Sequence, residues 1–199
     1  ANISYQVFDA QQFEYPDKLD AYDFFITTGS KADAYGDCPW IKQLIRFVRR
    51  LDEAKKKLIG ICFGHQIIAL ARDGLVEKSP RGWGVGVAKN RVVAHPQWMQ
   101  ERKSELNMLV SHQDQITRLA DDALVIAASD FCPFFMVQWE QHFLGIQGHP
   151  EWLAGYSRAL MNHRRHILGD TRTDAGLASL TTAPDNALFT SWIMDFVAF

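Results

Sequence analysis

The chain has 199 residues, a length that suits one domain, and 47% of them are hydrophobic, which allows a core of good size. The formal net charge is only −2, and the longest run of like charges is the short Lys55-Lys56-Lys57. The composition therefore argues against nucleic-acid binding. No apolar run has the length of a membrane span, and no signal segment opens the chain. We therefore expect a single domain over residues 1–199 with neither a nucleic acid nor a membrane as its partner.

Three cysteines stand far apart in the chain, at Cys38, Cys62 and Cys132. Their odd number and wide spacing argue against a disulfide framework, and no CxxC pair indicates a zinc site. Reduced thiols are typical of the cytosol, so we expect a cytoplasmic protein. We expect no metal and no other cofactor.

The N-terminal part of the chain alternates between predicted strands and helices. Residues 3–8 alternate in polarity and predict a strand, and Phe24–Thr27 predicts a short buried strand. Apolar residues at a helical period predict a helix over residues 40–50. A strand over residues 58–61 and a helix to Arg72 follow. This β-β-α-β-α order is typical of an open parallel sheet covered by helices.

The middle of the chain changes to short stretches separated by turn residues, which predicts meanders or an antiparallel extension of the sheet. A helix is expected over residues 152–167, with Leu153, Tyr156 and Leu160 on one face. Residues 171–185 are small and polar and predict a loop, and residues 186–199 predict a closing helix. The expected short strands cover residues 82–87, 91–93, 105–110, 123–127, 134–138 and 143–147.

The beginning of the chain differs from that of a usual doubly wound domain. Such a domain begins with a strand and a helix ahead of the first segment found here, and this chain opens on what corresponds to the second strand. Either the N-terminal strand and helix are missing from this chain, or the architecture departs from the usual one.

Gly60-Ile61-Cys62-Phe63-Gly64 places a cysteine between two glycines, directly after a predicted strand and directly before a predicted helix. This is the pattern of a nucleophile elbow, in which a tight turn lifts the side chain clear of the sheet. The glycines let neighbouring backbone approach, and the amides at the helix N-terminus favour thiolate over thiol. A buried core cysteine in a strand-to-helix turn is the alternative that this stretch alone leaves open.

Of the seven histidines, His149 is the best candidate for the base that a thiol nucleophile needs. It follows a predicted strand, and ligands of open α/β sheets bind at that end of the strands. Pro150 pushes His149 toward extended backbone, so His149 and Glu151 project to the same side and the carboxylate can orient the imidazole. Alone, this tripeptide also fits a surface turn with an acid at a helix N-terminus, but the elbow in the same chain argues against that alternative.

Together, Gly-Ile-Cys-Phe-Gly-His-Gln at residues 60–66 and Gly-His-Pro-Glu at residues 148–151 resemble the motifs of the class I, triad-type glutamine amidotransferases. Within that family, the chain resembles stand-alone proteins that are similar to the amidotransferase domain of GMP synthase. The resemblance extends from about residue 3 to residue 167 and includes a Ser-His-x-Asp segment at residues 111–114. It implies a flavodoxin-like α/β fold: an open, mostly parallel sheet flanked by helices, with an antiparallel extension.

The resemblance implies a role for each member of a catalytic triad. Cys62 would attack the side-chain amide of glutamine and form a thioester. His149 would accept the thiol proton and then give it to the departing ammonia, and Glu151 would orient His149.

The same resemblance implies backbone N–H groups for the oxyanion, one just past the nucleophile and one in the loop at residues 26–30. It also implies a contact to the bound glutamine from the fourth residue after the nucleophile, helped by the Ser-His-x-Asp segment. The residues so implied are Gly29 or Ser30 and Phe63 for the oxyanion, and Gln66, His112 and Asp114 for the substrate.

Several other positions bear on the site. Ser30 stands where the family commonly has the second of two glycines, and Gly84 stands where relatives often have an acidic residue. His65 is expected to lie behind the site as a satisfied histidine rather than to line it. His163 and His166 lie among arginines, which favours a solvated helix face over a metal site.

The leading hypothesis is hydrolysis of a γ-glutamyl amide through a cysteinyl thioester. Two substrates stay open: glutamine, with ammonia released or passed to a separate synthase subunit, and a γ-glutamyl peptide cleaved by a stand-alone hydrolase. A non-catalytic binding module on the same fold would be marked by the loss of a triad member, and all three are present. A third alternative is a cysteine protease or thiol hydrolase of a related superfamily, in which the acid of the triad often comes from elsewhere in the chain. The position of Glu151, two residues after His149, argues against this alternative.

Overall fold

Nine strands and six α-helices occur within residues 3–199, the part of the chain that the computed structural model describes. The strands are β1 (Phe24–Thr27), β2 (Lys57–Ile61), β3 (Leu75–Lys78), β4 (Gly84–Val92), β5 (Glu105–His112), β6 (Asp114–Arg118), β7 (Ala123–Ala128), β8 (Met136–Trp139) and β9 (Phe143–Ile146). The helices are α1 (Pro39–Glu53), α2 (Phe63–Ala71), α3 (Ala154–His163), α4 (Arg165–Leu168), α5 (Asp170–Ser179) and α6 (Asn186–Ala198).

Seven strands form one sheet in the order β1-β2-β9-β8-β7-β4-β5, and β3 pairs with β6 in a separate two-stranded sheet. Strands β1, β2 and β9 are parallel, whereas β8, β7, β4 and β5 continue the sheet with antiparallel pairing. The predicted α/β fold with an antiparallel extension is confirmed. Because β1, β2 and β9 run in the same direction, the segments that follow them leave the sheet at one edge.

The large sheet separates two hydrophobic cores. On one face, α1 and α2 pack on the sheet, and α1 buries an apolar stripe whose members recur at helical spacing. On the other face, α6 buries Phe189, Trp192 and Phe196. Alternation along β2 sends Leu58 into the first core and Ile59 into the second. Burial on both faces therefore holds β2, the strand that precedes Cys62, in the middle of the fold.

Most of the predicted elements are confirmed with shifted ends. The helices expected over residues 40–50 and 186–199 correspond to α1 and α6. The strands expected over residues 105–110 and 143–147 correspond to β5 and β9. The small sheet of β3 and β6 has no counterpart in the prediction, because each of these two strands is short and mixes polar with apolar residues.

The strand predicted over residues 3–8 is wrong, because these residues form no ladder with any other part of residues 3–199. The apolar members of the alternation, Ile3, Tyr5 and Val7, are all exposed. A strand needs a partner for its backbone groups as well as two unlike faces, and β1 at the nearby edge of the sheet pairs only with β2.

The C-terminal helices differ from their predicted bounds. The helix expected over residues 152–167 begins at Ala154 and breaks at Arg164 into α3 and α4. Leu153 and Tyr156, expected to share one apolar face, are exposed. Trp152 lies ahead of the helix, and its ring is stacked on that of His149.

The loop predicted over residues 171–185 is wrong for much of its length, because α5 covers Asp170–Ser179. The small residues of α5 let this helix pack closely against β4. A methyl group on Gly176 would come within 2.6 Å of Met161 Sδ and 2.9 Å of Val85 Cγ2, and one on Gly86 would come within 2.5 Å of the Gly176 carbonyl oxygen. Close approach to β4 replaces the stripe of large apolar residues by which a helix is usually predicted.

Two histidines are kept neutral by burial. His65 Nε2 donates a hydrogen bond to the Phe134 carbonyl oxygen at 2.9 Å, and burial lowers the pKa of His65 to about 3. Burial likewise lowers the pKa of His112 to about 4. Because a histidine in an unfolded chain titrates at about 6.5, the unfolded state binds more protons than the folded state below that pH.

We expect the free energy of unfolding to fall by up to about 1.4 kcal/mol per pH unit for each of these histidines, from about pH 6.5 down to about pH 4 for His112 and about pH 3 for His65. His65→Gln retains an N–H for the Phe134 carbonyl but removes a group that takes up a proton on unfolding. It should therefore lower the pH dependence of the free energy of unfolding by the part that His65 contributes, up to about 1.4 kcal/mol per pH unit. Urea unfolding at several pH values measures the slope. His166→Gln removes an exposed imidazole and is the matched control, and equal slopes for the two variants would contradict this expectation.

Candidate active site

The cysteine lies in a strained turn between β2 and α2. Cys62 is the N-cap residue of α2 and has φ 51° and ψ −98°, a conformation that residues other than glycine rarely adopt. A methyl group on Gly64 would lie 2.1 Å from Thr27 Oγ1, and one on Gly60 would lie 2.7 Å from the backbone of Gly64. Both glycines are therefore needed for the close approach of α2 to β1 and β2, and the turn has the strand-to-helix geometry predicted for a nucleophile elbow.

The Cys62 thiol is buried, and its surroundings favour the neutral form. Burial raises the pKa of Cys62 to about 12, and the negative charge of Glu151 acts in the same direction. Two donors oppose this effect: the Phe63 backbone N–H and Gln147 Nε2, which lies 3.4 Å from Sγ. The thiol is therefore protonated at rest, and a nucleophile at this position needs a group that takes its proton.

His149 follows β9 and is held on several sides. Its Nδ1 donates a hydrogen bond to Glu151 Oε1 at 2.7 Å, and its ring stacks on Trp152 with centroids 3.6 Å apart and planes 6° apart. Its backbone N–H donates to the Leu109 carbonyl oxygen at 2.8 Å. Because a carboxylate only accepts hydrogen bonds, Nδ1 carries the proton and Nε2 is free to accept one.

Gly29 lies where the imidazole and the thiol come together. A methyl group on Gly29 would lie 2.9 Å from His149 Cε1 and 3.9 Å from Cys62 Cβ. Within residues 3–199, the Cys62 sulfur receives its side-chain hydrogen bond from Gln147, and the His149 ring bonds to Glu151. The segments that leave β1, β2 and β9 thus meet at one edge of the sheet, with the His149 imidazole close to the Cys62 thiol but without a hydrogen bond to it among residues 3–199.

A cavity of about 130 Å³ opens beside Cys62 and carries charges of both signs. Burial raises the pKa of Asp114, and the hydrogen bond and charge of Asp33 act in the same direction. A cavity with carboxyl groups and cations beside a thiol suits a ligand that itself carries both charges. The charged residues that line it are Lys31, Asp33, Lys78, Asp114 and Arg164.

The residues predicted for oxyanion and substrate binding lie around the same cavity. Gln66 Nε2 donates to the Asp114 carbonyl oxygen at 2.8 Å and to Gln147 Oε1 at 3.1 Å, so both of its N–H groups have partners and only Oε1 is left for a ligand. His112 Nδ1 donates to the same carbonyl oxygen at 3.1 Å. The predicted residues on the cavity wall are Ser30, Phe63, Gln66, His112 and Asp114, whereas Gly29 lies against His149.

A larger cavity of about 640 Å³ adjoins the first and shares Trp83 and His112 with it. Gly84 lies on its wall, and a methyl group there would come within 2.8 Å of Phe131 Cε1 and 3.2 Å of His112 Nε2. An acidic side chain at position 84 would therefore collide with the present positions of Phe131 and His112. Glycine at this position fits the packing that surrounds it.

Sequence reasoning missed several groups of the site. Gln147 and Trp152 flank the Gly-His-Pro-Glu motif directly, so their nearness in the chain was an available signal. His163 and His166 are exposed, as expected, but the neighbouring Arg164 reaches the site: it donates to Ser111 Oγ at 3.2 Å and lies over the Trp83 ring. The charged side chains that reach the cavity come from separate segments, and their spacing in the sequence carries no signal of their convergence.

Among residues 3–199, no group of three or more histidine, cysteine or acidic side chains is placed to hold a metal ion. No helix in this range is both long enough and apolar enough to cross a membrane.

Comparison with protein families agrees with these motifs. The family model described as glutamine amidotransferase class-I matches residues 2–164, most of the chain. The chain belongs to the class I glutamine amidotransferases. The predicted family is thereby confirmed.

Individual relatives differ in how much of their own length this chain matches. Gamma-glutamyl peptidase 3 of Arabidopsis thaliana is 35% identical over 156 residues, 74% of this chain and 61% of that protein. The glutamine-hydrolysing GMP synthase of Yersinia pestis is 28% identical over 137 residues, 64% of this chain and 26% of that protein. The chain thus spans less than two thirds of either relative. A glutamine amidotransferase structure from Thermotoga maritima has a TM-score of 0.80 at 18% identity, covering 98% of this chain and 87% of that one, which shows a shared fold.

The backbone of Cys62 predicts an unusual order of stabilities. Alanine is normally more stable than glycine, but at a φ of 51° alanine is strained, so Cys62→Gly should be more stable than Cys62→Ala by about 1 kcal/mol. Urea unfolding of the two variants measures the difference. Cys38, the N-cap residue of α1 with φ −84°, supplies the matched pair: both positions share the N-cap preference for glycine over alanine, but only Cys62 is strained, so glycine should gain less stability over alanine at position 38. An equal gain at both positions would contradict the strain at Cys62.

Proposed function

We propose that this chain hydrolyses γ-glutamyl amides through a thioester on Cys62. The observation that carries the proposal is the meeting of three segments at one sheet edge: the Cys62 turn, the His149–Glu151 pair and Gly29 between them. A thiol, an imidazole with one free nitrogen, and a carboxylate that orients it are the parts of a nucleophile–base–acid triad.

In this mechanism His149 Nε2 takes the proton of the Cys62 thiol as the sulfur attacks the γ-carbonyl carbon. The new C–S bond and the breaking C–N bond pass through a tetrahedral oxyanion, and the amine leaves with the proton that His149 returns. Water, deprotonated by His149, then attacks the thioester, releases glutamate and restores the thiol. Because the resting thiol is neutral, the proton transfer to His149 is what generates the nucleophile.

Backbone N–H groups are proposed to hold the oxyanion. The Phe63 N–H already points at the Cys62 sulfur, and an N–H at Gly29 or Ser30 is the second candidate. Loss of one such donor typically lowers a rate by about 10²–10³-fold.

The cavity supports a γ-glutamyl group as the part of the substrate that is recognised. The α-ammonium and α-carboxylate of such a group need an anionic and a cationic partner, and the cavity supplies both kinds. We assign the ammonium to Asp114 and to Gln66 Oε1, which is the only part of that amide without a protein partner. The cations Lys31, Lys78 and Arg164 are candidates for the carboxylate.

We propose γ-glutamyl peptides as the substrate class, supported by the match to gamma-glutamyl peptidase 3 over 74% of this chain. The second candidate is glutamine, with ammonia passed to a separate synthase subunit, and the similarity to GMP synthase favours it.

We also propose a cytoplasmic location, because Cys38, Cys62 and Cys132 are all free thiols.

Turnover of γ-glutamyl dipeptides should exceed that of free glutamine at equal concentration, and Cys62→Ala should abolish both activities. Release of glutamate, measured for each substrate, checks this expectation. Cys38→Ala removes an exposed thiol far along the chain from the elbow and should retain activity. Faster hydrolysis of glutamine would favour the second candidate, and unchanged turnover in Cys62→Ala would exclude the thioester.

Gly29→Ala tests the proposed base. Its methyl group would meet His149 Cε1 at 2.9 Å and displace the imidazole, so kcat should fall by about 10²-fold, in keeping with the effect of a misplaced catalytic group. Steady-state kinetics measures kcat and KM. Gly155→Ala is the matched control, because a methyl group there meets nothing within 4 Å, and its kcat should be unchanged. Equal kcat values for the two variants would argue against His149 as the base.

A further inference from the structure

A chain of buried amide groups leads from a backbone carbonyl to the sulfur of Cys62. The Asp114 carbonyl oxygen accepts a hydrogen bond from Gln66 Nε2 at 2.8 Å. Gln66 Nε2 also donates to Gln147 Oε1 at 3.1 Å, and Gln147 Nε2 donates to Cys62 Sγ at 3.4 Å. Three successive hydrogen bonds therefore connect the cavity wall to the thiol.

The direction of this chain follows from the groups at its beginning. A backbone carbonyl only accepts, so Gln66 must turn its NH₂ group toward Asp114. The second hydrogen of that NH₂ group points at Gln147, which must then present its oxygen. The remaining end of Gln147 is its NH₂ group, and this end faces Cys62. Rotating either amide by half a turn would bring two like groups together, so the assignment of nitrogen and oxygen is determined by the network.

The surroundings of Gln147 leave its side chain little freedom. The residue is fully buried directly after β9, and its backbone N–H donates to the Phe135 carbonyl oxygen at 2.8 Å. A fully buried amide has no water to replace a lost partner. Turning away from its protein partners would leave a buried polar atom unsatisfied, so the amide keeps its hydrogen bonds. Gln147 is thus held as a fixed N–H donor at the sulfur.

An N–H donor at this position acts on the charged form of the thiol more than on the neutral form. A thiolate is a stronger acceptor than a thiol, so a donor that cannot turn away stabilises the thiolate. Burial and the charges of Glu151 and Asp114 oppose ionisation of Cys62, whereas Phe63 and Gln147 favour it. Within residues 3–199, Gln147 is the side chain that donates to this sulfur.

We infer that Gln147 is a second donor to the nucleophilic sulfur, oriented through Gln66 by the Asp114 carbonyl, and that it stabilises the Cys62 thiolate. The inference rests on the proposed function only in taking Cys62 as the nucleophile. It assigns to Gln147 the stabilisation of the attacking thiolate, beside His149, which takes the proton, and Phe63, whose N–H also faces the sulfur.

Two variants separate this role from packing. Gln147→Glu keeps the shape and the oxygen that accepts from Gln66, but it removes the donor to Cys62. Gln147→Leu removes both hydrogen bonds at similar size without adding a charge. The matched control is Gln138→Leu on the adjacent strand β8, because Gln138 is also buried but bonds to Trp98 and to the Glu140 carbonyl instead.

The test is the rate of alkylation of Cys62 by iodoacetamide in the full chain, followed for the Cys62 peptide by mass spectrometry from about pH 6 to about pH 10. With the donor lost, the rate at a given pH should fall about tenfold in Gln147→Leu, as its pH dependence moves upward by about one unit. The rate should fall at least as far in Gln147→Glu, whose charge further disfavours the thiolate. Gln138→Leu should match the wild type.

Two results would overturn the inference: unchanged alkylation in both Gln147 variants, or an equal loss in Gln138→Leu. Far-UV circular dichroism identifies any variant that does not fold, and the other Gln147 variant then decides. Alkylation needs no γ-glutamyl substrate, so failure of the proposed function shows separately. Slower alkylation of Cys62 in the Gln147 variants supports the donor role even where the wild type hydrolyses none of the substrates tested.

Discussion

The position of α2 depends on a contact between backbones that leaves no room for side chains. Gly64 lies so close to Thr27, and Gly60 so close to Gly64, that a single methyl group at either position would collide with its neighbour. Strands β1 and β2 and the first turn of α2 are thereby held together, and the residue between the glycines is forced to φ 51°. The Phe63 N–H in the first turn of the helix then lies at the sulfur of Cys62, and the rest of the site is arranged around that atom.

This close packing buries the Cys62 thiol and thereby disfavours its ionisation, an effect that some of the surrounding groups counteract. The burial that positions Cys62 also raises the pKa of its thiol to about 12, so the reactive anion is disfavoured where it is needed. The neighbours that favour the anion are uncharged N–H groups, and the nearby histidines His65 and His112 are kept neutral by burial. The proposed chemistry therefore depends on proton transfer from the Cys62 thiol to His149. Glu151 supports this transfer by orienting and stabilising the imidazole.

The fold and the triad candidates were accessible from the sequence because their signals are local. Gly60 and Gly64 flank Cys62, and Pro150 separates His149 from Glu151, so each geometry follows from neighbours in the chain. The helix α5 was missed for a physical reason: Gly176 replaces a large apolar side chain because β4 approaches closely, and periodicity detects only large side chains. Alternation in residues 3–8 was misleading, because it carries no information on whether a partner strand exists. The charged wall of the cavity could not be predicted, because Asp33, Lys78 and Arg164 come together only in the folded chain.

The antiparallel extension also takes part in building the site. Beyond β9 the chain leaves the parallel strands and hydrogen-bonds to the extension, with the Gln147 N–H on the Phe135 carbonyl and the His149 N–H on the Leu109 carbonyl of β5. The backbone amide of Cys62, in contrast, donates to Ile146 at the end of β9, within the parallel part. The thiol is thus anchored to the parallel strands, whereas Gln147, which donates to it, and the neighbouring His149 are anchored to the extension. A shift of the extension would therefore move Gln147 and His149 relative to Cys62, so substitutions within the extension can alter the site without touching any residue that lines it.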